Sequence, residues 1–218
     1  MEFEVFDWGL VEYSRALSLQ KEAYFKVKEG NPESALIICS HYPVITIGRR
    51  GERKNLLVSE EELRLRAVSL SCVERGGDIT YHGPGQLTAY PIFNLACLKK
   101  DIHFFLRNLE EVALCFLMGL GIKGQRLPGL TGVWLGDKKI ASVGIAVKNW
   151  ITYHGLTINI KSNDLENFRL IRPCGMDVEM TCAEEALGRE LEMCVLKKRL
   201  IEKFQEVFCP AEAILWQR

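Results

Sequence analysis

Residues 132–135, 139–147 and 151–160 form three apolar-rich runs. Only two short breaks separate them, Gly136-Asp137-Lys138 and Lys148-Asn149-Trp150. Breaks that short join antiparallel neighbours, because parallel strands need a crossover of a dozen or more residues. This stretch therefore predicts an antiparallel sheet against which the rest of the chain must pack. Residues 10–28 read as an amphipathic helix stopped by Gly30-Asn31-Pro32. Residues 35–39 and 44–47 read as short strands around His41-Tyr42-Pro43, and 68–73 as a short apolar stretch. Ser59-Glu60-Glu61-Glu62 and Thr181-Cys182-Ala183-Glu184 carry capping-box signals for two short helices. Asp101 is placed to cap a helix whose apolar face is Ile102, Phe105, Leu109, Val112, Phe116 and Leu120, and 192–208 read as a closing helix. Without regular βαβ alternation, the fold class is α+β: a mostly antiparallel mixed sheet flanked by helices.

At 218 residues the chain suits a single domain spanning 1–218. Its 28 basic and 28 acidic side chains cancel, which argues against a nucleic-acid-coating protein. Acids in Met1-Glu2-Phe3-Glu4 oppose a signal peptide, and the longest apolar stretch, 112–122, is too short to cross a bilayer. No membrane and a cytoplasmic location are the simplest expectation. Cys39, Cys97 and Cys115 lie in apolar runs and are expected to be buried and inert. No C-x-x-C pair occurs, so no metal site is expected.

The segment 75–86, Arg-Gly-Gly-Asp-Ile-Thr-Tyr-His-Gly-Pro-Gly-Gln, packs four glycines and a proline among polar side chains. Glycines let a backbone approach a ligand closely. The loop is neither a Walker A loop nor G-x-G-x-x-G, and on pattern alone a connector and a ligand loop both fit. Cys174 stands apart from the other cysteines, because Pro173 and Gly175 place it in a turn.

The run from Arg75 through Pro91 resembles the signature of the lipoyl(octanoyl) transferases of lipoate biosynthesis. The match continues at Thr131-Gly132-Val133-Trp134, Lys139-Ile140-Ala141-Ser142-Val143-Gly144, His154-Gly155-Leu156 and Arg172-Pro173-Cys174-Gly175. Departures fall at Tyr42, Thr157 and the stretch 177–182.

The resemblance implies the fold of biotin and lipoate protein ligase catalytic domains. It implies two steps, in which Cys174 takes an octanoyl group from octanoyl-acyl carrier protein and a lipoyl-domain lysine then takes it from the enzyme. The implied acceptors are lipoyl domains of 2-oxoacid dehydrogenase complexes and the glycine cleavage H protein. No cofactor is expected, because thioester to amide is downhill. Lys139 takes the family's active-site lysine position, where an ammonium favours a thiolate and later acts as base. The alternative from the residues alone is a solvated turn lysine. The implied substrate pocket is Arg75, Gly76, Gly77, Asp78, Ile79, Thr80, Tyr81 and His82, with Ser142, Val143 and Gly144, and Gly155, Leu156 and Thr157. His154 is expected to line the pocket beside His82, and an apolar tunnel to select chain length at ~0.8 kcal/mol per buried methylene. Two rivals remain: an ATP-dependent lipoate or biotin ligase of the same fold, and a non-catalytic lipoyl-domain-binding module.

Overall fold

A computed structural model describes residues 2–173 and 178–209. In chain order the elements are β1 (Glu4–Val11), α1 (Tyr13–Lys28), β2 (Ser34–His41), β3 (Val44–Ile47), α2 (Glu60–Leu65), β4 (Ser69–Cys72), β5 (Ile79–His82), β6 (Gln86–Phe93) and α3 (Ile102–Met118). They continue with β7 (Val133–Leu135), β8 (Lys138–Lys148), β9 (Ile151–Asn159), a 3-10 helix (Ser162–Leu170), α4 (Ala183–Leu187) and α5 (Met193–Phe208). The stretch with short breaks forms strands β9, β8 and β7 of a six-stranded sheet ordered β1-β2-β6-β9-β8-β7, antiparallel throughout except between β1 and β2. At the β8–β9 turn, Asn149 (φ 52°) and Trp150 (φ 62°) are both left-handed. Two such residues give a hairpin the twist its strands need. A smaller sheet, β4-β3-β5, stands apart from this one.

Period-two alternation divides the large sheet between two cores. On β2, Leu36 and Ile38 join the core built with α3 and α5, with Phe105, Phe116, Leu200 and Phe204. Ala35, Ile37 and Cys39 face the other way, onto Tyr24 and Val27 of α1. Helices thus cover both faces. Ser59 and Asp101 cap α2 and α3 as their spacing predicts, accepting from Glu62 N–H and Phe104 N–H.

Several expectations need correction. Leu10 and Val11 do not begin a helix; they end β1, which pairs in parallel with β2 at the sheet edge after an irregularity at Asp7/Gly9. Helical periodicity starts only at Tyr13. The middle of the glycine-rich segment, Ile79–His82, is strand β5, antiparallel to β3. The second capping box does not form, because Thr181 Oγ1 donates to the Glu185 carboxylate at 2.9 Å and Cys182 takes the N-cap position. Cys39 is buried, but Cys115 is half-buried and Cys97 exposed, since β6 ends at Phe93 and Cys97 falls in the turn beyond it. Among the described residues no helix is long and apolar enough to cross a membrane.

Candidate active site

The glycine-rich loop is placed by main-chain bonds to both sheets. Gly76 N–H donates to Ile145 O on β8 at 2.8 Å. From the β3 side, Gly48, Arg49 and Arg50 N–H donate to Asp78, Arg75 and Gly77 carbonyls. The approach is close: a Cβ on Gly48 would lie 2.5 Å from Gly77 O, and one on Gly144 would lie 3.1 Å from Gly76 O.

The loop and the two strands enclose a cavity. It is lined by Arg75, Gly76, Gly77, Asp78, Ile79, Thr80 and His82, by Lys139, Ser142, Val143 and Gly144 of β8, and by Gly155 and Thr157 of β9. Two residues named from sequence turn away, as strand alternation requires. Tyr81 is fully buried in the small-sheet core, its hydroxyl donating to Asp164 at 3.2 Å. Leu156 joins the α3/α5 core. Three further residues complete the lining: Tyr13, Tyr90 and His154.

Lys138 and Lys139 are adjacent in sequence and opposite in environment. Lys138 meets solvent and pairs with Glu179, whereas Lys139 is 5% exposed. The Lys139 ammonium sits 5.3 Å from the centre of the Trp134 ring, whose face attracts a cation. Gly132, at φ 120°, packs against the same side chain; a Cβ there would lie 2.6 Å from Lys139 Cε. The solvated-turn reading of Lys139 is therefore wrong in its premise, that the side chain is in water.

Arg75 and Asp78 work within the loop. The Arg75 guanidinium donates to Thr46 O at 2.7 Å, to Thr46 Oγ1 and to Gly76 O. The Asp78 carboxylate accepts from Glu52 N–H at 3.1 Å and Asn55 Nδ2 at 2.6 Å. Each ties residues 46–55 to the cavity wall.

Around Tyr13 lie three buried imidazoles, His41, His82 and His154. Tyr13 stacks on His82, and its hydroxyl meets His154 Nδ1 at 3.4 Å. His41 Nε2 lies 2.6 Å from the Tyr90 hydroxyl. Burial pushes His41 down to about 4 and His154 down to about 3, and holds His82 well below its ordinary range, with His41 and the Arg75 cation adding to the last shift. All three are neutral at physiological pH. His154 is unusual in its backbone. Its register partner, Ile145, belongs to the α3/α5 core, yet a φ of 58° turns the imidazole to Tyr13 on the opposite side.

Sequence reasoning named His82 and His154 but missed Tyr13 and Tyr90. Tyr13 reaches the cavity from a helix remote in the chain, and Tyr90 is one apolar-run residue among several. Cys174 lies outside the described residues. The described residues on either side are fixed: Arg172 N–H donates to Asn55 O at 2.7 Å, and the chain returns to pair with Lys139. There Lys139 N–H donates to Glu179 O at 2.8 Å, and Thr181 N–H donates to Lys139 O at 3.0 Å. Among the described residues no group of three His, Cys, Asp or Glu is placed to hold a metal ion.

Residues 12–205 match the Lipoyl protein ligase A/B catalytic domain. The chain is 45% identical over 206 residues to an octanoyltransferase of Thermoanaerobacter sp. (strain X514), a match covering 94% of this chain and 90% of that protein. It is 40% identical over 199 residues to an octanoyltransferase of Clostridium kluyveri, covering 91% and 85%. In fold it is similar to a lipoate-protein ligase A bound with ATP (TM-score 0.74, 15% identity, 95% of this chain and 85% of that one). It is also similar to a bi-partite lipoate protein ligase of Thermoplasma acidophilum (TM-score 0.71, 18% identity, 95% and 84%).

Proposed function

The chain belongs to the octanoyltransferases of the lipoyl protein ligase A/B catalytic-domain family, and from that premise we propose that it works through a thioester on Cys174 with Lys139 as its proton-handling partner. It transfers octanoyl groups for protein lipoylation. The donor is octanoyl-acyl carrier protein, and the acceptor is a lysine of a lipoyl domain. Lipoyl domains of 2-oxoacid dehydrogenase complexes and the glycine cleavage H protein are the acceptors proposed, and the cytoplasm the compartment.

The observation that carries the mechanism is the burial of Lys139, on the wall it shares with the glycine-rich loop. In the first step the Cys174 thiolate attacks the carrier thioester carbonyl, and the carrier sulfur leaves as a thiol with a proton given up by the Lys139 ammonium, which becomes a neutral amine. The Lys139 ammonium favours that thiolate. Acylation removes the negative charge, so Lys139 loses the partner that held its proton. In the second step the acceptor amine attacks the enzyme thioester. Lys139 takes the amine proton, an amide forms, and the Cys174 thiolate is released. Two features support this pairing. Cys174 stands five residues before Glu179, whose carbonyl accepts from Lys139 N–H. The imidazoles of His82 and His154, which line the same cavity, are neutral and add no positive charge to it. Neither step needs a nucleotide, and the ligase reading gains no greater support from the relatives.

The test is intact mass after incubation with octanoyl-acyl carrier protein, without ATP, followed by peptide mapping. One octanoyl group on the peptide holding Cys174, lost on adding a lipoyl domain, is the expected result. Modification only in the presence of ATP would favour the ligase. No transfer at all would favour the binding module.

A further inference from the structure

Behind Gly132 lies a carboxylate that the mechanism does not use. Glu110, on α3, is 1% exposed. Its Oε1 accepts from Gly132 N–H at 2.9 Å. Its Oε2 accepts from Arg126 Nε at 3.1 Å and from Arg107 Nη1 at 2.6 Å. Arg126 and Gly132 are the two ends of one loop, so a single carboxylate closes that loop at its base. Arg126 Nη2 secures the closure with bonds to Arg107 O at 3.0 Å and the Glu111 carboxylate at 2.7 Å. Between these ends, Gly129, Leu130 and Thr131 line the groove that leads in to Trp134 and Lys139. Just beyond, Trp134 exchanges both backbone bonds with Gln125, each at 2.9 Å.

Two guanidiniums on one carboxylate oxygen offset its charge, so Glu110 does not act on Lys139 as a lone anion. What it transmits is position. Only one peptide unit separates the carboxylate from the Gly132 Cα, and a Cβ there would come within 2.6 Å of Lys139 Cε and 3.3 Å of Nζ. Movement of Gly132 therefore moves the wall that the ammonium rests on, and Trp134, two residues on, forms the facing wall.

We propose that Glu110 is a positioning residue: by clamping both ends of the loop 126–132 it holds Lys139 where the acceptor amine must give up its proton. This rests on the role given to Lys139 above. The test compares wild type with Glu110→Leu, which removes the clamp, and Arg126→Met, which frees one loop end while leaving Glu110 paired with Arg107. Each folded protein is pulsed with an amine-acetylating reagent over a range of pH. The modification of Lys139 is then read by peptide mapping against that of the exposed Lys148. Both variants should raise the relative reactivity of Lys139 by about fivefold or more, as local opening does, and shift its pH dependence. They should lower kcat for octanoyl transfer with little change in KM for the carrier. Unchanged Lys139 reactivity in the folded variants overturns the proposal. If Glu110→Leu does not fold, Arg126→Met decides alone. Raised reactivity with undiminished transfer would uphold the clamp and remove Lys139 from the chemistry.

Discussion

Lys139 is one of two adjacent lysines, and nothing in the pair Lys138-Lys139 says which is buried. The strand decides: alternate residues face opposite ways, so one meets Glu179 at the surface and the other enters the cavity. The lysine's candidacy was thus legible only through the surrounding motif, and its burial only through the register of β8 on β7. Replacing Lys139 by Ala should slow transfer at neutral pH by about 10²–10⁴, the range associated with a lost acid–base group. Rates of the two half-reactions, measured against pH, should respond differently. Enzyme acylation should partly recover at high pH, where thiolate forms unaided, while transfer to the lipoyl domain should not. Lys139→Arg should restore the first and not the second, because arginine keeps its proton. A Lys139→Ala enzyme with wild-type rates for both would eliminate the dyad.

At the scale of elements, the hairpin β8–β9 was readable because its breaks are short and its runs apolar. The edge strand β1 was not, since Leu10 and Val11 continue smoothly into the amphipathic pattern of α1. Nor could spacing reveal that β9 admits the backbone of β6 at Gly155. A Cβ on Gly155 would lie 2.2 Å from Ala89 O and 2.6 Å from Pro91 Cδ. Backbone cannot retreat there without parting two central strands. Gly155→Ala should therefore destabilise the protein by at least the ~1–3 kcal/mol typical of overpacking. Urea unfolding would show it as a lower midpoint. A midpoint within error of wild type would mean that β6 and β9 yield more easily than their contact suggests.

Across the whole molecule, the three imidazoles bind stability to pH. Each has a native pKa below its ordinary value of 6.5, so the unfolded chain takes up protons first as the pH falls. Stability is full above about pH 6.5. It declines below that, toward about 4 for His41 and about 3 for His154, at up to about 1.4 kcal/mol per pH unit for each group. Thermal unfolding between pH 7.5 and 4.5 should show a falling Tm, and His41→Gln or His154→Gln should flatten the slope. An equally steep slope in both variants would place the acid sensitivity elsewhere. Such a cluster could be suspected from sequence at His82 and His154, but not assembled. His41 and Tyr13 join it only because β2 and α1 are folded against β6 and β9. The main-chain pairing of Lys139 with residues 179–181 has a different kind of consequence, concerning which changes a lineage of such proteins could accept. A bond between amide and carbonyl does not depend on the side chain it carries. The pairing therefore sets the path of residues 179–181 and leaves the exposed side chain of Glu179 free to change, whereas Met180 and Thr181 are also held by their own burial. Glu179→Ser should leave stability within about 0.5 kcal/mol, as for an ordinary surface exchange, and octanoyl transfer unchanged. Thr181→Pro, which deletes the N–H given to Lys139 O, should cut transfer sharply. Equal activity of the two proteins would show that the lysine keeps its place without this backbone partner.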